Sequence, residues 1–364
     1  MPRVRQFLNI GLLPPGAVNA ITDIAGVRVG HASIRRGDLK TGVTAVLPHS
    51  GNIFREKVTA GCAVFNGYGK SVGLLQIDEL GTLETPILLT GTLNVPRVAD
   101  ALISYMLTLD DAIGVNETVN PVVLECFDGF LSDARARHIG EAEVFEAIRS
   151  ARHGPVQEGC VGAGVGMRCQ GYKSGVGTAS RVIDPPGYTL GVLVLPNFGF
   201  PGDLLITGVP VGRELAAVGQ PSESRSNSPD VATSDRSRES DEFARDERGS
   251  CVFVVATDAP LASIDLRRIA WRCFLGMART GAISGQSSGD LAVAFTTNSQ
   301  QERQDRTMMN ALFRATVEAA EEAILNALFM AETTEGRDGH VMPSLPIPET
   351  LMILKRHGVP VRQP

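Results

Sequence analysis

The sequence predicts a layered α/β or α+β fold with helices packed on sheet faces, and three observations predict it. Short apolar, β-branched runs recur along the chain, segments of helical period lie between them, and the two do not follow a strict βαβ alternation. The first strands are "VTAVLP" (43–48), "CAVFNG" (62–67) and "PILLTGTL" (86–93). "VPRVADALISYMLTL" (95–109) is a helix that opens with Pro96 in its first turn, where proline costs no hydrogen bond. A strand, "PVVLECF" (121–127), and a helix, "EAEVFEAIRSARHG" (141–154) ending at Gly154, come next. "TLGVLVLPNF" (189–198) and "CVFVVATD" (251–258) are apolar on both faces, as buried central strands are. "LRRIAWRCFLGMARTG" (266–281) keeps one apolar stripe and stops at Gly281, and "LAVAFTTN" (291–298) is the last strand. The longest helix is expected within 305–334.

Composition narrows the function. A hydrophobic share of 43% in 364 residues supports a substantial core. The net charge of −6, without any Lys/Arg cluster, excludes an obvious nucleic-acid or anionic-membrane partner. No apolar run reaches membrane-spanning length, and Pro14-Pro15 interrupts the short apolar start before any cleavage site, so a cytoplasmic protein is expected. The six cysteines contain no C-x-x-C pair and are read as free buried thiols; the histidines lack ligand spacing, so no metal or other cofactor is expected.

One segment fits no element. Residues 219–249, "GQPSESRSNSPDVATSDRSRESDEFARDERG", are rich in Ser, Asp, Glu and Arg and nearly free of large apolar residues, so a mobile tract is expected. An interdomain linker would have the same composition. This tract, however, ends abruptly at Gly249-Ser250, immediately before a core strand. Cutting between the two would make Ser250 an N-terminal residue, whose α-amine (pKa about 7.7–8.0) could deprotonate its own hydroxyl. Glycine before the cut tolerates the strained backbone that an N→O acyl shift needs. The neighbouring Cys251 keeps a thiol alternative open.

Further candidates are weaker. Gly285-Gln286-Ser287-Ser288-Gly289 matches G-x-S-x-G, but that elbow follows a strand and opens a helix, whereas here a helix precedes and a strand follows. Ser288 and Asp290 flank a glycine, so both side chains could face one site; a plain turn with Asp as backbone acceptor is the alternative. Asn197 ends an apolar strand and could donate to an oxyanion, or simply close a turn. Glu125 is the odd charge in its strand; it could bind an ammonium group or pair with an arginine.

Together these pieces resemble the L-aminopeptidase/D-Ala-esterase/amidase family, which includes the β-peptidyl aminopeptidases. The likeness runs almost end to end through "NAITDIAGVRVGH", "TGVTAVLPHSGNIFREKVTAG", "FNGYGKSVGLLQIDELGTLETPILLTGTL", "GAGVGMRCQGYKSGVGTASR", "NFGFPGDLLITGVPVG", "GSCVFVVATDAPL" and "SGDLAVAF". The resemblance implies a single αββα sandwich over 1–364 of the N-terminal-nucleophile kind, self-cut into chains 1–249 and 250–364. It implies Ser250 as nucleophile, Gly249 as the last residue of the larger chain, and Ser288 with Asp290 positioning the nucleophile and its amine. It also places Asn197 at the oxyanion and Glu125 at the substrate's amino group. Phe127 departs from the pattern, since relatives often carry Tyr or Asn there and a phenyl ring cannot donate. The implied substrates are small peptides or amino-acid amides and esters, and the implied assembly is a homo-oligomer, a tetramer, of processed heterodimers. Two other readings remain: acyl transfer like that of ornithine acetyltransferases, which usually use threonine, and an unprocessed, non-catalytic binding protein.

Overall fold

The elements follow from the apolar pattern in chain order. The computed structural model describes residues 1–218, 249–302 and 305–362; the tract expected to be mobile, 219–249, lies outside them except for Gly249. Strands β1 (Arg28–Arg36) and β2 (Leu39–Leu47) form a hairpin, followed by β3 (Val58–Gly67), helix α1 (Leu74–Leu80), β4 (Thr82–Leu83) and β5 (Ile87–Gly91). Helix α2 (Val95–Leu109) then leads to β6 (Val122–Cys126), and α3 (Glu141–Arg149) follows. Next come β7 (Arg168–Cys169), β8 (Tyr172–Lys173), β9 (Gly177–Ile183), β10 (Tyr188–Asn197) and α4 (Val211–Val218). Beyond the tract lie β11 (Ser250–Thr257), α5 (Ser263–Ala278), β12 (Gly289–Thr296), α6 (Arg306–Phe329), β13 (Thr334–Glu335), β14 (Val341–Met342) and α7 (Ile347–Arg356).

Two sheets carry the fold, one ordered β1-β2-β5-β6 and one ordered β4-β3-β12-β11-β10-β9. Strands β11 and β12 run parallel at the centre of the larger sheet, and every residue of both is buried. Their alternation sorts two cores. Val252, Val254 and Ala256 pack toward the smaller sheet, whereas Cys251, Phe253 and Val255 pack toward α5 and α6. Helices α2 and α3 cover the outer face of the smaller sheet, so the layers run αββα, as the resemblance implied.

Differences from expectation have physical causes. The third helix ends at Arg149, short of Gly154, because the Arg152 backbone exchanges hydrogen bonds with Val29 of β1 (3.0 and 3.1 Å). The longest helix spans Arg306–Phe329 within the expected window. Strands β1 and β9 carry His31, Ser33 and Arg35, or Ser180 and Arg181, and so present no continuous apolar run to a sequence reading. Arg181, fully buried on β9, is held by Glu322 (2.7 Å) and Glu318 (3.4 Å) of α6, which explains acidic residues inside a buried helix. All six cysteines are free and buried. No helix among the described residues is long and apolar enough to cross a membrane.

Candidate active site

Strand β11 begins at Ser250 because the β-branched run begins there, and the strand's alternation decides where the serine points. Ser250 shares a face with Val252, so its side chain lies between the sheets, while Cys251 faces the helices. Burial pushes the Cys251 thiol well above the ordinary cysteine value, and that of Cys126 likewise, so neither has thiolate character. This geometry does not favour the thiol alternative.

The neighbours of Ser250 are fixed by register. Asn197, the last residue of β10, pairs with it directly, and directly opposed residues share a face. The Asn197 Oδ1 accepts from the Arg168 N–H at 3.2 Å, which leaves the amide nitrogen as the donor end. On the other side Ser250 pairs with Gly289, whose N–H donates to the Gly249 carbonyl at 3.1 Å. A Cβ on Gly289 would come within 2.7 Å of the Gly69 backbone, so only glycine lets residues 68–70 pack this closely. Across the inter-sheet space the end of β6 arrives, and the Phe127 N–H donates to Ser250 Oγ over 3.4 Å. The phenyl ring cannot donate, but its own main chain presents an N–H at this spot.

Glu125 is buried near the end of β6. Its Oε1 accepts from the Lys70 N–H at 2.8 Å, and its Oε2 accepts from the Thr92 hydroxyl. No arginine or lysine side chain among the described residues pairs with it, so the expected alternative of an arginine partner is not what the fold provides. Ser250, Gly249, Glu125, Phe127, Thr92 and Lys70 line one cleft of about 460 Å³, a size that suits a small ligand. A larger hollow of about 710 Å³ beside α5 has no serine, cysteine, threonine or histidine among its described lining residues.

Ser288 and Asp290 form a pair, but on the other side of the strand. Asp290 is in register with Cys251 and so belongs to the face away from Ser250 Oγ. Its Oδ1 accepts from the Ser288 hydroxyl at 2.9 Å and its Oδ2 from the Ser284 hydroxyl. Burial raises the Asp290 pKa; the two hydroxyls and the Cys251 N–H pull it back only in part. The pair therefore reaches Ser250 through the main chain of β11 and β12. Thr92, Lys70 and Ser284 were not singled out from the sequence. Ser284 owes its place to a left-handed backbone (φ 56°), which no sequence pattern announced.

Next to Phe127 in the chain, burial pushes the Asp128 carboxyl up to about 6. For an acid whose folded pKa is raised, stability is complete below the unfolded value near 3.9 and is lost as pH climbs through about 6. Asp128→Asn, which does not titrate, should therefore gain on the wild type by up to about 3 kcal/mol between pH 4 and 7.5. Melting temperatures of both proteins across that range check this; a constant difference would show that the carboxyl does not titrate there.

Comparison with known proteins decides the family. The model of peptidase family S58 matches residues 19–342. The chain belongs to this family. A relative in sequence is the β-peptidyl aminopeptidase BapA of Sphingosinicella microcystinivorans, 40% identical over 378 aligned positions that cover 98% of this chain and 92% of its own. Among solved structures, the PH0078 protein of Pyrococcus horikoshii OT3 is 43% identical with a TM-score of 0.84, covering 96% of this chain and 98% of its own. The L-aminopeptidase D-Ala-esterase/amidase of Ochrobactrum anthropi, described as a prototype serine aminopeptidase and a variant of the Ntn hydrolase fold, is 30% identical with the same TM-score over 99% and 100%. The resemblance read from the sequence is thus correct. Membership of a peptidase family favours hydrolysis over the acyl-transfer and binding-protein readings.

Proposed function

We propose that this S58 peptidase is an aminopeptidase that cuts itself between Gly249 and Ser250 and then uses Ser250 as an N-terminal nucleophile. The observation that carries the reading is one cleft lined by both Ser250 and a buried Glu125 that lacks a cationic partner among the described residues. A buried carboxylate is costly unless a cation completes it, and a substrate's free amine is that cation.

The steps follow from the arrangement. In self-processing, Ser250 Oγ attacks the Gly249 carbonyl, which the Gly289 N–H polarises. The C–N bond breaks as the hydroxyl proton passes to the departing nitrogen, and water hydrolyses the resulting ester to free the Gly249 carboxyl and the Ser250 hydroxyl. In the mature site the Ser250 α-amine takes the hydroxyl proton, and Oγ attacks the carbonyl of the substrate's first residue. Asn197 donates to the tetrahedral oxyanion. The leaving amine takes up the proton, and water then hydrolyses the ester to free the amino acid. Ser288 and Asp290 hold the main chain and amine of Ser250 in place. The names of the relatives support peptides or amino-acid amides as substrates.

Glu125 gives the test. Alanine p-nitroanilide should be cleaved at least a hundredfold better than its N-acetyl form, a difference of about 2.7 kcal/mol, because the acetyl group leaves Glu125 unpaired. Glu125→Gln should shrink that gap mainly by losing the free-amine activity. If the wild type hydrolyses both alike, Glu125 is structural and the aminopeptidase reading fails.

A further inference from the structure

The cleft carries a second charge that hydrolysis of a simple amide leaves unused. Of its described lining residues, Glu125 is the one acid and Lys70 the one base. The Lys70 main-chain N–H is bonded to Glu125 Oε1, so the root of the basic side chain lies beside the carboxylate. The Lys70 ammonium lies over the Tyr68 ring, 3.8 Å from its centroid, and donates to the Tyr68 carbonyl at 2.5 Å. The ammonium's described contacts are these two, neither with a carboxylate, and an ammonium has three donors, so it can still receive an anion.

Resting on the aminopeptidase reading, we propose that the cleft is built for short peptides with both ends free, and that Lys70 binds their C-terminal carboxylate. Two or three extended residues span about 7–10 Å, within reach of a flexible four-carbon stem whose root is hydrogen-bonded to the carboxylate at the other pole. A cleft of about 460 Å³ takes such a peptide. A zwitterion offers an ammonium to Glu125 and a carboxylate to Lys70; an amidated peptide leaves the Lys70 ammonium without its partner. Lys70 is in this reading a specificity determinant that contacts the substrate away from the reacting bond.

The test compares Ala-Ala with its C-terminal amide in kcat/KM, by alanine release, for wild type, Lys70→Gln and Lys70→Arg. The wild type should favour the free acid about fivefold, chiefly through KM, as expected of a charge-assisted contact to an exposed ammonium. Added salt should shrink the preference. Lys70→Gln should bring the ratio near unity and Lys70→Arg should keep most of it. A wild-type ratio of one, or a ratio unchanged in Lys70→Gln, overturns the role of Lys70 while leaving the aminopeptidase intact. Failure to release alanine from either substrate would instead overturn the aminopeptidase reading itself.

Discussion

Ser250→Ala should leave one uncut chain and lower peptide hydrolysis by at least four orders of magnitude. Removing the nucleophile of a serine peptidase costs up to roughly six orders in turnover, since no neighbouring group replaces it. The same substitution should stop cleavage at Gly249-Ser250, because the attacking oxygen is proposed to be the same in both reactions. Stability is a separate matter. At Ser250 Oγ the hydrogen bond from the Phe127 N–H is long and the other side-chain contact is with the weakly bonding Cys126 thiol, so their loss costs about 1 kcal/mol. Intact mass, N-terminal sequencing and a p-nitroanilide assay on the purified variant read all three effects. Two chains cut at the same bond would remove Ser250 from its role. A new N-terminus at Cys251 would transfer the role to that thiol, against its burial toward the helices and its raised pKa.

Asp290→Asn should lower turnover a hundredfold or more while the protein stays folded, with melting at neutral pH no lower than that of the wild type. The activity loss follows from position. The carboxylate is anchored by Ser288 and Ser284 beside the first peptide unit of β11, where a free Ser250 amine would be held. The stability follows from the sign of the pKa shift. Burial raises the Asp290 carboxyl, so wild-type stability is complete at acid pH and declines as pH rises through the raised value; asparagine removes that decline. Near-normal turnover would reduce Asp290 to a turn residue. A parallel loss of turnover and of folded protein would point to a structural role only.

Much of this protein was legible in its residues. Apolar β-branched runs marked the central strands, because a strand buried on both faces can tolerate little else. The helix from Val95 to Leu109 was bounded correctly, since Pro96 fixes its start. The Gly249-Ser250 seam stood out because a tract that cannot build a core met a strand that must be in one. The edge strands β1 and β9 were missed, since solvent or ion pairs on one side let polar residues in.

The residues proposed for the chemistry could each be picked out along the chain, but which of them meet is a matter of tertiary packing. Strand alternation says that Ser250 and Cys251 point opposite ways, but only the second sheet shows which of them faces Glu125. The Phe127 N–H reaches Ser250 across 123 positions of chain, and Glu125 takes its donors from the Lys70 main chain and Thr92. Asp290 meets the first peptide unit of β11 from the face opposite the serine hydroxyl. The physical reason is the same in each case. Main-chain donors look alike at every residue, and the register between distant strands is set by packing two sheets together, so neither leaves a local mark in the sequence.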